Sequence, residues 1–370
     1  MTLLLGAAIM LVGISILQFT LYMWDGRRNA PKTEIKYSTE GELPKVAVFI
    51  SARNECLLLP ECLLTLEKMD YPSHLIDFYI ADDNSEDGTA EILLSWVKKE
   101  ENRHGFLIRE EPGTGINGKA RALAKMTEVT DADLFLFTDA DCSVPSTWVR
   151  SMVSAYKVAY GMVIGITEVK RTGPFSTMQA LDWFLHLGVI KHLSDKGHSL
   201  TAMGNNMLIA SNALKKAGGF RAVERSVTED LAICRSLYEI GYRPYHLVES
   251  GNLVKTKAEG GLTLLLQQRK RWAVGAMGLP WYWKFILFIQ VAFFPAIVFI
   301  CFQHLYIGAI LWAGKIYLQS MFLIKFAKKT ETIFNQIDLF IFEWFYLFTT
   351  WATAIYYFWP SKIKWKKRAY

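Results

Sequence analysis

The chain has 370 residues, 52% of them hydrophobic, and a formal net charge of +6. That length fits one catalytic domain of ordinary size together with membrane segments. Five scattered cysteines without a CxxC pair argue against a disulfide framework or a structural zinc site, and the lack of a basic stripe interleaved with aromatics argues against a nucleic-acid surface.

Residues 3–23 carry no charge and are long enough to span a hydrocarbon core of about 30 Å. No basic residue precedes them, and the apolar run is too long for a secretory signal core. Arg27, Arg28 and Lys32 follow, which predicts that this flank stays in the cytoplasm. The expected layout is a transmembrane helix over 1–24, a basic linker over 25–44, a cytoplasmic domain over 45–272, transmembrane or interfacial helices over 273–360, and a basic tail over 361–370.

Inside the middle region, 45–50 (KVAVFI) reads as a strand and Ser51 to Glu55 as a polar turn. A helix is expected over 57–68, a strand over 78–81, a helix over 88–100, a strand over 106–108, a helix over 119–126 and a strand over 134–138. Strands alternating with helices predict an α/β fold with a mostly parallel sheet. Polar and acidic residues fall just after the strands, where open α/β sheets bind ligands. In the C-terminal part, 285–313 is longer than one crossing needs and short for two. The stretch 315–329 mixes lysines with apolar residues and reads as an interfacial helix or a poor span, and 339–359 as a further span. Lys315 and Glu343 stand out as ionisable residues within apolar surroundings.

Four clusters carry chemistry. Asp82 and Asp83 open an acidic turn after a strand, where carboxylates accept hydrogen bonds from a base or ribose; the plain alternative is a helix cap. Asp139-Ala140-Asp141 follows the apolar strand, and two carboxylates at i and i+2 suit a hard divalent cation, Mg²⁺ or Mn²⁺, that bridges to a diphosphate. Thr228-Glu229-Asp230 offers a general base at a helix start, and a helix cap at the same place. Gln268-Arg269-Lys270-Arg271-Trp272 offers an arginine for phosphate and a flat indole for a sugar, against the plain reading of a juxtamembrane anchor. The run 113–119 fits GxxxxGK, yet Ala120 supplies no hydroxyl for Mg²⁺, so a P-loop nucleotide hydrolase is disfavoured and a glycine loop presenting Lys119 to a diphosphate is preferred.

Taken in order, Asp83, the DxD of Asp139 and Asp141, the TED ending at Asp230 and the QxxRW from Gln268 to Trp272 resemble family 2 glycosyltransferases of the GT-A fold. The match is to the membrane-bound branch of cellulose, hyaluronan and poly-N-acetylglucosamine synthases and ceramide glucosyltransferases. The resemblance implies donor-binding roles for Ser51, Arg53, Asn54, Glu55, Asp82, Asp83, Lys119, Asp139, Gln268, Arg271 and Trp272. It implies metal binding by Asp141 and Asp139, and catalysis by Asp230 with Glu229 beside it. Gly204, Asn205, Asn206 and Trp272 fall where such enzymes contact the acceptor. The implied reaction is inverting transfer from a nucleotide-sugar, UDP by analogy, to a lipid, lipid-linked or growing glycan acceptor. The implied setting is a multi-pass cell-membrane protein with a cytoplasmic catalytic domain, working beside other envelope-glycan biosynthesis proteins. A processive β-polysaccharide synthase is the alternative, and a non-catalytic nucleotide-sugar sensor a more distant one.

Overall fold

The computed structural model describes residues 2–24, 43–109, 117–198 and 201–361, and the short pieces 364–365 and 368–369. Arg27, Arg28 and Lys32, residues 113–116 of the glycine loop, and Lys362, Lys366 and Lys367 lie outside the described residues.

The middle region folds around a seven-stranded sheet. Its strands are β1 (Val46–Ala52), β2 (Ile76–Asp83), β3 (Arg103–Ile108), β4 (Leu134–Asp139), β6 (Met162–Ile164), β8 (Met207–Ala210) and β9 (Tyr245–His246), in the order β3-β2-β1-β4-β8-β6-β9. The first four run parallel, β8 is antiparallel to both neighbours, and β6 and β9 are parallel. A small second sheet joins β5 (Cys142–Ser143), β10 (Leu253–Thr256) and β7 (Ile166–Val169). The mostly parallel α/β architecture agrees with the expectation.

Every residue of β1 is buried, and so are the first five of β4. A strand covered on both faces reads as a near-continuous apolar run, which is why VAVFI and LFLF show no alternation. Each fully buried Val, Ile or Phe contributes about 1.5–3 kcal/mol. Phe49 stacks on Tyr79 and Phe137 across the sheet, with centroids 5.3 and 5.2 Å apart. The covering helices are α2 (Leu59–Leu66), α3 (Thr89–Val97), α4 (Gly118–Thr127), α5 (Trp148–Ala155), α7 (Ser211–Lys216) and α8 (Glu229–Glu239), with the longer α6 (Pro174–Asp195) beneath.

Below the sheet lie α9 (Leu262–Ala276), α10 (Trp281–Gln303), α11 (Leu305–Ala327) and α12 (Gln336–Phe358), joined by the N-terminal α1 (Thr2–Trp24). Among the described residues, three helices are long and apolar enough to cross a membrane: Thr2–Met23, Trp281–Gln303 and Leu305–Thr330. The apolar stretch 285–313 is thus divided between two helices that break at His304. Gly308 allows the tight return, since a Cβ there would lie 2.9 Å from the backbone of Cys301. The stretch 315–329 is helical. It continues α11, because Lys315 is fully buried against Glu343 of α12 instead of interrupting the helix.

The expected further span over 339–359 falls within α12, which ends at Phe358. Both ends of α12 are tied to the α/β region and α9. At its start, Arg171 donates to the carbonyl of Ile333 at 2.7 Å, and Phe334 packs edge-on to Phe184 of α6. At its end, Lys270 of α9 donates to the carbonyls of Trp359 at 2.7 Å and Ser361 at 3.1 Å. Along its length α12 packs against α6, α9, α10 and α11, with Ile337, Phe340, Trp344, Phe348, Ile355 and Phe358 exposed along its outer side.

Candidate functional site

Strand register assembles the site. Ser51 of β1 pairs with Asp139 of β4 on one side, and Ala52 pairs with Asp82 of β2 on the other. Because parallel strands end together, the Arg53 turn, the Asp82 turn and the DxD turn are delivered to one edge. Asn54 takes a left-handed conformation (φ 50°) that links two of these turns: its N–H donates to Ser85 Oγ at 2.9 Å, and its Oδ1 accepts the Glu86 N–H at 2.9 Å.

The nucleotide side of this edge is largely buried. Arg53 donates to the carbonyl of Asp83 at 2.8 Å, and the Asp83 carboxylate lies 3.8 Å from the Arg121 guanidinium. Asp82 accepts the Ser85 N–H at 3.1 Å through one oxygen, while its buried Oδ1 has no hydrogen-bond partner among the described residues. Buried acceptors rarely go unpaired, and this one suits a ribose or base donor. Asp83 is therefore held by the protein, and Asp82 is the carboxylate with acceptor capacity to spare.

Asn117 caps α4 by accepting the Lys119 N–H at 3.0 Å. The same side chain donates to the carbonyl of Ser226 at 2.9 Å and to Glu229 at 3.0 Å. It thereby fastens the start of α4 to the start of α8. Lys119 reaches Asp139 at 2.6 Å and Glu229 at 3.2 Å. Burial disfavours the Lys119 charge, but Asp139, Glu229 and Asp230 outweigh it and hold the ammonium above its ordinary value.

Asp230, in the first turn of α8, accepts the Gly204 N–H at 2.8 Å and its neighbour's N–H, from Leu231, at 2.8 Å. Burial, together with the adjacent Glu229 charge, pushes its carboxyl up to about 6, against the pull of Lys119. A carboxylate of that basicity is suited to accept a proton near neutral pH. Gly204 lets the two segments approach closely, since a Cβ there would lie 3.1 Å from Asp230 Oδ2 and press it aside by a few tenths of an ångström.

The two DxD carboxylates turn to opposite lysines, Asp139 to Lys119 and Asp141 to Lys257 at 3.4 Å. Among the described residues no three His, Cys, Asp or Glu side chains gather to hold a metal ion. Two hard carboxylate oxygens still fit a Mg²⁺-type ion, whose shell is completed by phosphate oxygens and water. The QxxRW segment joins this edge through the loop before α9. Gln268 donates to Glu259 at 2.9 Å, and the Glu259 backbone is clasped by Gln179 through bonds of 3.0 and 2.9 Å. Trp272 packs edge-on to Trp183 of α6 at 5.4 Å. At Gly275, α9 closes on Thr228, where a Cβ would lie 2.8 Å from Thr228 Oγ1.

Of the residues at the acceptor-loop position, Gly204 faces Asp230. Asn205 instead accepts a bond from Thr167 at 3.0 Å. Asn206 is fully buried and donates to the carbonyls of Ile166 and Asn252 at 2.7 and 2.9 Å, while accepting from Trp148 at 2.9 Å. Its side chain serves the frame beneath the site, not an incoming molecule. Sequence reasoning missed Asn117, Arg121, Lys257 and Glu259. Asn117 had a legible signal as a helix cap before Gly-Lys; the other three have none at short range.

Two beta-monoglucosyldiacylglycerol synthases, from Trichormus variabilis and a Nostoc species, are each 28% identical over 265 residues, covering 67% of this chain and 52% of their own length. The chain thus spans about half the length of these relatives. A mannosyltransferase from Pyrobaculum calidifontis, solved in complex with GDP-Man and Mn²⁺, superimposes with a TM-score of 0.66 at 17% identity, over 97% of this chain and 100% of that one. That likeness places the catalytic region in the GT-A fold. Residues 56–370 match the model of glycosyl transferase family 21, and the chain belongs to that family.

Proposed function

We propose that this chain is a membrane-bound, inverting, family 2-like glycosyltransferase that moves a sugar from a nucleotide-sugar onto a lipid or lipid-linked acceptor at the cytoplasmic face. The observation that carries the reading is the convergence of Asp82, the DxD pair, Lys119 and Asp230 on one strand-end edge. Relatives that make glucosyldiacylglycerol point to a lipid acceptor, and three apolar helices supply the membrane setting.

In this reading Asp82 and the Arg53 turn hold the nucleoside. Lys119 lies beside the diphosphate, anchored by Asp139 and Glu229, and steadies the charge that develops on the leaving group. Asp139 and Asp141 would hold Mg²⁺ or Mn²⁺, which supplies charge neutralisation to the diphosphate. Asp230, oriented by the Gly204 N–H, takes the proton from the acceptor hydroxyl as that oxygen approaches the anomeric carbon. An α-linked donor then gives a β-linked product. Trp272, at the α6–α9 contact, and Gln268 and Arg271 before it border the sugar.

The test is a panel of UDP-, GDP- and dTDP-sugars with Mg²⁺ or Mn²⁺ and diacylglycerol in vesicles. Release of nucleoside diphosphate together with a single glycolipid product is expected. No release with any donor would sink the reading, and a polymer ladder would replace it with the processive one.

A further inference from the structure

Lys257 follows β10, in the loop that leads to α9, far along the chain from every acidic motif. Its ammonium nevertheless lies 3.4 Å from Asp141 and 3.2 Å from Glu55. The first contact is to the second carboxylate of the DxD turn, and the second is to a residue of the β1 turn. The first carboxylate of the DxD, Asp139, is met by Lys119 at 2.6 Å from the other side. The turn is thus flanked by two lysines that come from separate parts of the chain.

The two lysines differ in their surroundings. The Lys119 side chain is 10% exposed and fixed by two acids, whereas that of Lys257 is 38% exposed. Two residues on, Glu259 holds Gln268 of the QxxRW segment, so Lys257 stands where the DxD edge meets α9. An ammonium on a flexible stem is a mobile point charge that serves phosphate oxygens as readily as carboxylates. Asp141 and Glu55 keep it at the place where a diphosphate approaching the DxD turn would arrive.

We propose that Lys257 is a second diphosphate-binding lysine, which holds the pyrophosphate of the donor from the side opposite Lys119. The assignment deepens the nucleotide-sugar reading and rests on it.

The test uses the full chain in detergent with Mg²⁺. Affinities for UDP, GDP and ADP, and for the matching nucleosides, are measured by calorimetry or competition for wild type, Lys257→Met, Lys257→Gln and Lys257→Arg. The nucleoside diphosphate that wild type binds should lose about tenfold in affinity in the methionine and glutamine variants, as expected for a lost charge-assisted contact. Nucleoside binding should stay within twofold, and Lys257→Arg should recover most of the loss. With the donor sugar, KM should rise more than kcat falls. Diphosphate affinity within twofold of wild type in the neutral variants would overturn the proposal. So would an equal loss for the nucleoside, which marks a merely structural counter-ion to Glu55. Thermal unfolding identifies any variant that does not fold, and the remaining neutral variant then decides. If wild type binds no nucleoside diphosphate, the nucleotide-sugar reading itself falls; if wild type binds and the variants match it, only Lys257 loses its role.

Discussion

At the strand ends, Lys119 is shared between Asp139 and Glu229, Lys257 between Asp141 and Glu55, and buried acceptors on Asp82 and Gln268 have no partner among the described residues. In the helical layer, Lys315 and Glu343 also bury opposite charges, but that cluster closes on itself. Glu343 receives Lys315 and Gln319 on one oxygen and Trp312, at 3.1 Å, on the other. Lys315 also donates to Gln319 at 2.8 Å and sits among the rings of Phe19, Phe293 and Tyr346. An open set of charges keeps capacity for a ligand; a closed set fixes helices to one another. The contrast predicts that damage at the edge reads out as chemistry and damage in the layer as stability.

The largest expected effect tests the first half of that contrast. Asp230→Asn keeps the acceptor for the Gly204 N–H but cannot take a proton, so turnover should fall about a thousandfold while donor binding is retained. Unchanged turnover would move the base elsewhere. Next comes the layer. Lys315→Met or Glu343→Leu alone strands a buried charge and should cost about 3 kcal/mol of stability, whereas the double variant should recover most of it. A single variant that keeps its unfolding temperature yet loses transfer would show that this cluster belongs to the site after all.

Two smaller effects sharpen the edge itself. In Gly204→Ala the new methyl would press on Asp230 from 3.1 Å, and a displaced base should lower kcat about tenfold with donor KM little changed. The pH profile follows from the same carboxylate. Its pKa is raised to about 6, and the base acts when deprotonated, so kcat/KM should fall about tenfold per pH unit below 6 and level off above. A limb centred near 4 would mean that burial and Glu229 do not raise Asp230 in the working enzyme.

The edge was legible because its residues sit in short motifs directly after apolar strands, and strand register turns sequence adjacency into spatial adjacency. The motif residues Asp82, Asp139 and Asp230 and the α/β alternation before them were readable for that reason. Lys257 and Arg121 were not, because each meets its acid only through tertiary packing. The same limit explains Asn206, whose polar side chain beside Gly204 resembled a ligand contact and is consumed by Trp148, Ile166 and Asn252. In the helical layer, hydropathy reports how apolar a segment is but not which way it lies. Lys315 looked like an interruption because its neutralising Glu343 is distant in sequence.

The orientation of α12 gives the last prediction, with the smallest expected effect on activity. With α10 and α11 both crossing and α12 not, the basic tail would lie on the same side as the α/β domain, as the positive-inside rule favours. A crossing by α12 would violate it and would also break the bonds from Lys270 to Trp359 and Ser361. Single cysteines replacing Gln336 and Ser361, in a background freed of the five native cysteines, should therefore both react with an impermeant thiol reagent supplied from the catalytic side. Turnover should stay within about twofold, because Gln336 is exposed and the Ser361 carbonyl, which also accepts from Lys270, is kept in the cysteine variant. Labelling of position 361 only from the opposite face would make α12 a membrane-crossing helix. It would also detach α9, and with it the QxxRW segment, from the helix that braces it against α6.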